Sequence, residues 1–151
     1  MSNNLEITNE EKRLHVIFSV VAIAHEMREL GFPKTAYSKI LRETIFFVWE
    51  IRELSKYSPM RKRSKAAEGR RNDKLDYDHA IPMRIIIEML LNKWPNKEAV
   101  TYIITHLVHG VLITKEEHIL LSEEGLSSTM PKDWDGSDWM TRYKKVGIDL
   151  I

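Results

Sequence analysis

The side chains best suited to chemistry in this sequence are its six histidines, His15, His25, His79, His106, His109 and His118. Imidazole exchanges a proton near neutral pH and also binds metal ions. The chain contains no cysteine, which excludes thiolate catalysis, disulfides, iron–sulfur clusters and Cys-based zinc sites. Neither haem nor an iron–sulfur cluster is expected, and any metal must be held by imidazole, carboxylate, amide or backbone oxygen. His15 lies near the start of the first helix and His25 on or beside its apolar stripe, and both read as hydrogen-bonded structural residues. His106 and His109 stand three apart on one helix, where they are either paired ligands joined by His118 or flanking residues of the inward face Val100, Ile103, Ile104, Leu107 and Val108.

His79 is the most informative of the six. It follows Asp78 on a run in which Leu75, Tyr77, His79 and Ile81 alternate with Asp76, Asp78 and Ala80, the period of a strand. Asp78-His79-Ala80-Ile81-Pro82 resembles the His-bearing strand of the HNH, or ββα-metal, nuclease superfamily. The likeness extends over about residues 75–124 if Val111-Leu112-Ile113 is the second strand and Lys115–Glu124 the helix. The resemblance implies that His79 is a general base on water, with Asp78 and His118 as ligands of one divalent ion, Mg²⁺ or another. A second assignment within the same family order uses Asn96 and His106. The pair also has a plain packing reading, a strand-end carboxylate orienting an imidazole.

Charge is distributed in a way that the net value of +1 conceals. Residues 1–60 hold eight basic and eight acidic residues, residues 61–74 seven and two, and residues 75–151 eight and twelve. The cluster Arg61, Lys62, Arg63, Lys65, Arg70, Arg71 and Lys74 can neutralise several phosphates and release their counterions, the main driving force for nonspecific nucleic-acid binding. It also reads as a solvated basic face. DNA or RNA is the expected partner, with a protein partner as the alternative.

The elements that must position these residues are mostly helical. Thr8 and Glu11 have capping-box spacing and Gly31 is a stop, predicting a helix over Asn9–Leu30. Pro33 opens a second helix running to about Lys56, and the short Gly31-Phe32 break makes the two an antiparallel hairpin. Ser58-Pro59 and Gly69 bracket a short third helix, Pro59–Glu68, carrying the basic cluster. Beyond the first strand, Pro82 permits a helix over Met83–Lys93, and Asn96 caps another ending near Gly110. Thr114 and Glu117 form a second capping box for a helix ending at Gly125, and Ser137 caps a last helix to about Lys145. Near the C-terminus, Trp134, Trp139, Arg142 and Tyr143 either stack on a base or clamp the last helix to the scaffold, the clamp being preferred.

The expected architecture is therefore mainly α. A long N-terminal helical hairpin (1–57) and a basic segment (58–74) precede a compact helical functional half (75–151), whose two short strands make a ββα-like unit with a helical insertion. One domain is expected at this length. The polar, acidic N-terminus and the lack of an apolar run of ~18–20 residues point to a cytoplasmic protein without membrane contact. The broad apolar face of the second helix leaves a homodimer open. The stretch from Ile113 to Tyr143 resembles small bacterial or phage proteins, which implies no activity. The functional expectation is a nucleic-acid-binding protein with divalent-metal-dependent HNH-like endonuclease activity; the alternative is a noncatalytic helical binding module, an inhibitor or regulator.

Overall fold

The computed structural model describes residues 8–52 and 54–151. Helix α1 (Asn9–Glu29) begins at the expected capping box, with Thr8 accepting from the Glu11 amide and Glu11 from the Thr8 amide. Helix α2 (Lys34–Thr44) packs against α1 and continues as a π-helical segment, Ile45–Glu50. The wider turn ends at the bond from the Ile51 amide to the Phe46 carbonyl, so the helix stops well before Lys56.

Strand β1 (Leu75–His79) pairs antiparallel with β2 (Gly110–Thr114), Leu75 opposite Thr114 and His79 opposite Gly110. Between them lie α3 (Met83–Lys93) and α4 (Lys97–Tyr102), the latter capped by Asn96 and extended by a π-helical segment, Ile103–Leu107. Helix α5 (Lys115–Glu123) follows β2 through the predicted Thr114–Glu117 capping box. The chain thus contains a ββα arrangement with a helical insertion. The last helix, α6 (Thr141–Val146), starts later than Ser137, because Asp135 accepts from the Ser137 and Asp138 amides and holds that stretch as a turn.

The predicted helix Pro59–Glu68 does not form. Residues 62–65 instead lie as an extended strap along β2: the Leu112 amide donates to the Lys62 carbonyl (2.9 Å) and the Ser64 amide to the Leu112 carbonyl (3.0 Å). The strap's other edge meets the C-terminus, where Lys65 donates to the Asp149 carbonyl and Ile151 to the Arg63 carbonyl. Backbone groups satisfied across the fold outweigh the local helix signals of Pro59 and Gly69.

Three apolar clusters hold these pieces together. The largest joins α1 and α2 to α3 and α4 around Ile17, Val21, Leu41, Ile45, Ile86, Leu90 and Ile104. A second packs Val111 and Ile113 of β2 against Leu121 and Tyr143, and a third seats Ala67 of the strap region on Leu75 and Leu112. Each fully buried Leu or Ile contributes ~1.5–3 kcal/mol. The strand alternation therefore separates two environments: Asp76, Asp78, Val111 and Ile113 face α5 and α6, whereas Tyr77, His79 and Leu112 face the opposite side. Among the described residues no helix is long and apolar enough to cross a membrane.

Candidate functional site

His79, at the end of β1, turns away from α5 toward Glu50 at the end of the π-helical turn of α2. Its Nε2 lies 2.6 Å from Glu50 Oε1. A carboxylate only accepts, so His79 Nε2 is the donor of this bond. Tyr77 donates its hydroxyl to the same Oε1 at 2.7 Å. Burial, and then the Glu50 charge, push the Tyr77 phenol far above its ordinary value, so it remains a donor. The Glu50 side chain is 2 % exposed and that of His79 21 %. A buried carboxylate thus fixes an imidazole that still reaches solvent, and orients its ring.

His79 opens on a hollow of 160 Å³ lined also by Arg42, Arg84, Ser127, Ser128 and Arg142. Arg84 is held there by two bonds from its guanidinium to the Ser128 carbonyl, at 3.0 and 3.2 Å. On the other side of Tyr77 lies a larger cleft of 260 Å³, lined among others by Trp49, Glu50, Arg52, Met60, Lys62 and His109. The π-helical segments contribute Trp49 and Glu50 from one helix and Thr105 from another, in keeping with the frequent use of such turns at functional sites. His109 stacks on Trp139 at 4.0 Å, and its Nε2 donates to the His106 carbonyl at 2.9 Å. Burial holds this imidazole below its ordinary value and Lys62 adds to the effect, against the pull of the carbonyl bond.

The residues expected to share a metal are distributed instead. Asp78 points to the opposite face from His79, where its Oδ2 accepts from the Arg142 guanidinium and, at 2.6 Å, from the Tyr143 hydroxyl. His118 meets Asp76, Nδ1 to Oδ2 at 2.8 Å. Burial raises the Asp76 carboxyl, but its bonds to His118 and Lys115 outweigh this and hold it below the ordinary value. In the second assignment, Asn96 is the cap of α4, accepting from the Ala99 amide, and His106 bonds to Thr105 and stacks on Tyr102 at 4.7 Å. Among the described residues no three His, Asp or Glu side chains converge as a metal-binding group. Asp78 and His118 are thus each bonded to different side chains of the fold.

The basic cluster also divides by role. Arg61, 9 % exposed, donates to the Leu54 and Ser55 carbonyls and lies over the Tyr77 ring. Arg63 donates to the Ser58 carbonyl. Lys62, Lys65, Arg70, Arg71 and Lys74 are exposed.

Glu50, Arg42 and Arg84 do not stand out as site residues in the sequence. The available signal is Glu50 itself, an acid inside the apolar run Ile45-Phe46-Phe47-Val48-Trp49-Glu50-Ile51, where a charge needs a partner. Comparison with known proteins returns no matching family model, no matching curated protein and no matching solved structure. Function is therefore read from the site.

Proposed function

We propose that the protein binds nucleic acid and acts on its phosphodiester backbone, with His79 as the proton-transferring group. The observation carrying this reading is the Glu50–His79 pair at 2.6 Å, opening on a hollow with Arg42 and Arg84. Nδ1 of His79 takes the proton from an attacking hydroxyl or water; the new O–P bond forms as the bond to the leaving oxygen breaks, and that oxygen takes a proton from the imidazolium or from solvent. Arg42 and Arg84 are suited to the charge that develops on the nonbridging oxygens. The exposed cations of the strap grip neighbouring phosphates. The likeness to HNH nucleases rests here on His79 at a strand end within a ββα arrangement, with Glu50 in the orienting role. A cytoplasmic setting accompanies this reading.

The test is cleavage of single- and double-stranded DNA and RNA, with Mg²⁺, with Mn²⁺ and with a chelator. His79→Ala is expected to lower the rate by ~10²-fold or more. Equal cleavage by wild type and His79→Ala, or none by wild type on any substrate, favours the second reading, a noncatalytic binding module. The observation behind that alternative is that Asp78, His79 and His118 are each engaged by another side chain of the fold, as braces would be.

A further inference from the structure

We propose that the 260 Å³ cleft is a nucleobase pocket that selects bases with an amino group beside a ring-nitrogen acceptor, cytosine and adenine. This deepens the reading above, since the nucleotide in question is the one whose phosphate lies at His79. The cleft and the hollow share Tyr77 as a wall, and Glu50 holds both Tyr77 and His79.

The selecting group is Glu50. Its Oε1 accepts from Tyr77 and His79, while Oε2 is buried with no hydrogen-bond partner among the described residues. An unpaired buried carboxylate oxygen calls for a donor. A cationic ligand is disfavoured, because Arg52, Arg61 and Lys62 already surround the cleft. A neutral donor remains, and an exocyclic amino group supplies one. The acceptor nitrogen beside it, N3 of cytosine or N1 of adenine, suits Lys62, a cation lining the cleft. Uracil would turn O4 toward Oε2, and guanine would bring a second N–H to an Oε1 that already takes two donors. Stacking surface is present: the Arg52 guanidinium lies 4.1 Å over the Trp49 ring, and Met60 is 79 % exposed at the cleft. The volume approaches the ~300 Å³ lower end of small-molecule sites, enough for a base rather than a larger ligand.

Calorimetric titration of the full chain with CMP, AMP, UMP, GMP and inorganic phosphate tests this. CMP and AMP are expected to bind at least about tenfold tighter than UMP and GMP, the discrimination typical of a buried polar group left unpaired. Arg52→Ala and Met60→Ala should reduce nucleotide binding toward that of inorganic phosphate. In Glu50→Gln the amide oxygen must stay where Tyr77 and His79 donate, which puts the amide N–H₂ at the Oε2 position and turns the preference toward UMP. Equal affinity of the wild type for UMP and CMP, no nucleotide binding at millimolar concentration, or an unchanged preference in a folded Glu50→Gln would overturn the pocket. Absence of base preference alongside His79-dependent cleavage removes the pocket and leaves the hydrolytic reading. Preference without cleavage supports the pocket and removes hydrolysis.

Discussion

Arg142 joins three parts of the fold next to His79. Its side chain is 1 % exposed, and it donates to the Leu126 carbonyl (2.7 Å), the His79 carbonyl (3.0 Å) and the Asp78 carboxylate. It ties α6 to the end of β1 and to the loop after α5. Replacing it by Met leaves Asp78 uncompensated in a nearly dry site, so Arg142→Met should lose ~3–5 kcal/mol in urea denaturation. Adding Asp78→Asn should recover part of that stability, because much of the cost is the stranded charge; full additivity of the two would show that they do not act as a pair. His109 makes a pH-dependent contribution. Its imidazole is held below the ordinary value in the fold, so the unfolded chain binds more protons once the pH falls below about 6.5. Stability should be complete above that value and decline as pH drops toward the folded one. His109→Phe, which keeps the stack on Trp139, should flatten the fall in urea midpoint between about pH 7.5 and 5.5; an unchanged slope assigns the dependence to another group.

At the scale of the element, the ribbon of β1 and β2 sorts chemistry by parity. Adjacent residues Asp78 and His79 serve opposite faces, one bracing α6 and the other bonding to Glu50. Gly110, opposite His79, makes room for this: a Cβ there would lie 1.8 Å from the Tyr77 hydroxyl oxygen. Gly110→Ala must push the phenol off Glu50, and is expected to cost ~1–3 kcal/mol in thermal or chemical denaturation and to lower any His79-dependent rate. A normal rate with normal stability would show that Tyr77 is dispensable to the pair. The α5 capping box has a second role, since Glu117 accepts from the Thr114 amide and also from the buried Ser64 hydroxyl at 2.5 Å. Thr114→Ala should cost ~1 kcal/mol, and Glu117→Ala more, because it also leaves the buried Ser64 O–H without an acceptor. Hydrogen exchange of the Ser64 and Leu112 amides would show whether the strap loosens with it.

Across the whole molecule, the basic segment has two roles that charge counting merges. Arg61 and Arg63 hold the backbone of the segment before the strap, at Leu54, Ser55 and Ser58, while Lys62, Lys65, Arg70, Arg71 and Lys74 remain exposed. Neutralising the exposed group should reduce the slope of log affinity against log salt by ~0.9 for each duplex-DNA phosphate that is no longer paired with a cation. Arg61→Ala should instead lower stability and disturb Tyr77, with little effect on the slope. A slope unchanged by the exposed set would remove the strap from the interface.

Features governed by neighbours along the chain were legible in the sequence. Capping boxes act over three residues and apolar periodicity over one or two turns, so the ends of α1, α3 and α5 and the two strands agree closely with the spacing of Thr8, Pro82, Thr114 and their successors. His79 stood out for the same reason, as the histidine of an alternating run. The predicted helix at Pro59–Glu68 failed because the groups that satisfy its backbone, Leu112 and residues 149–151, are remote in sequence. The partners of the site are remote as well: Glu50 is 29 residues from His79, and Arg142 is 64 from Asp78. The sequence by itself determined the mainly helical class and the ββα order, and it singled out His79 as the histidine of the alternating run. Only the tertiary structure decided that this histidine answers to Glu50 rather than Asp78, because strand parity turns adjacent side chains apart and packing alone brings distant ones within hydrogen-bond reach.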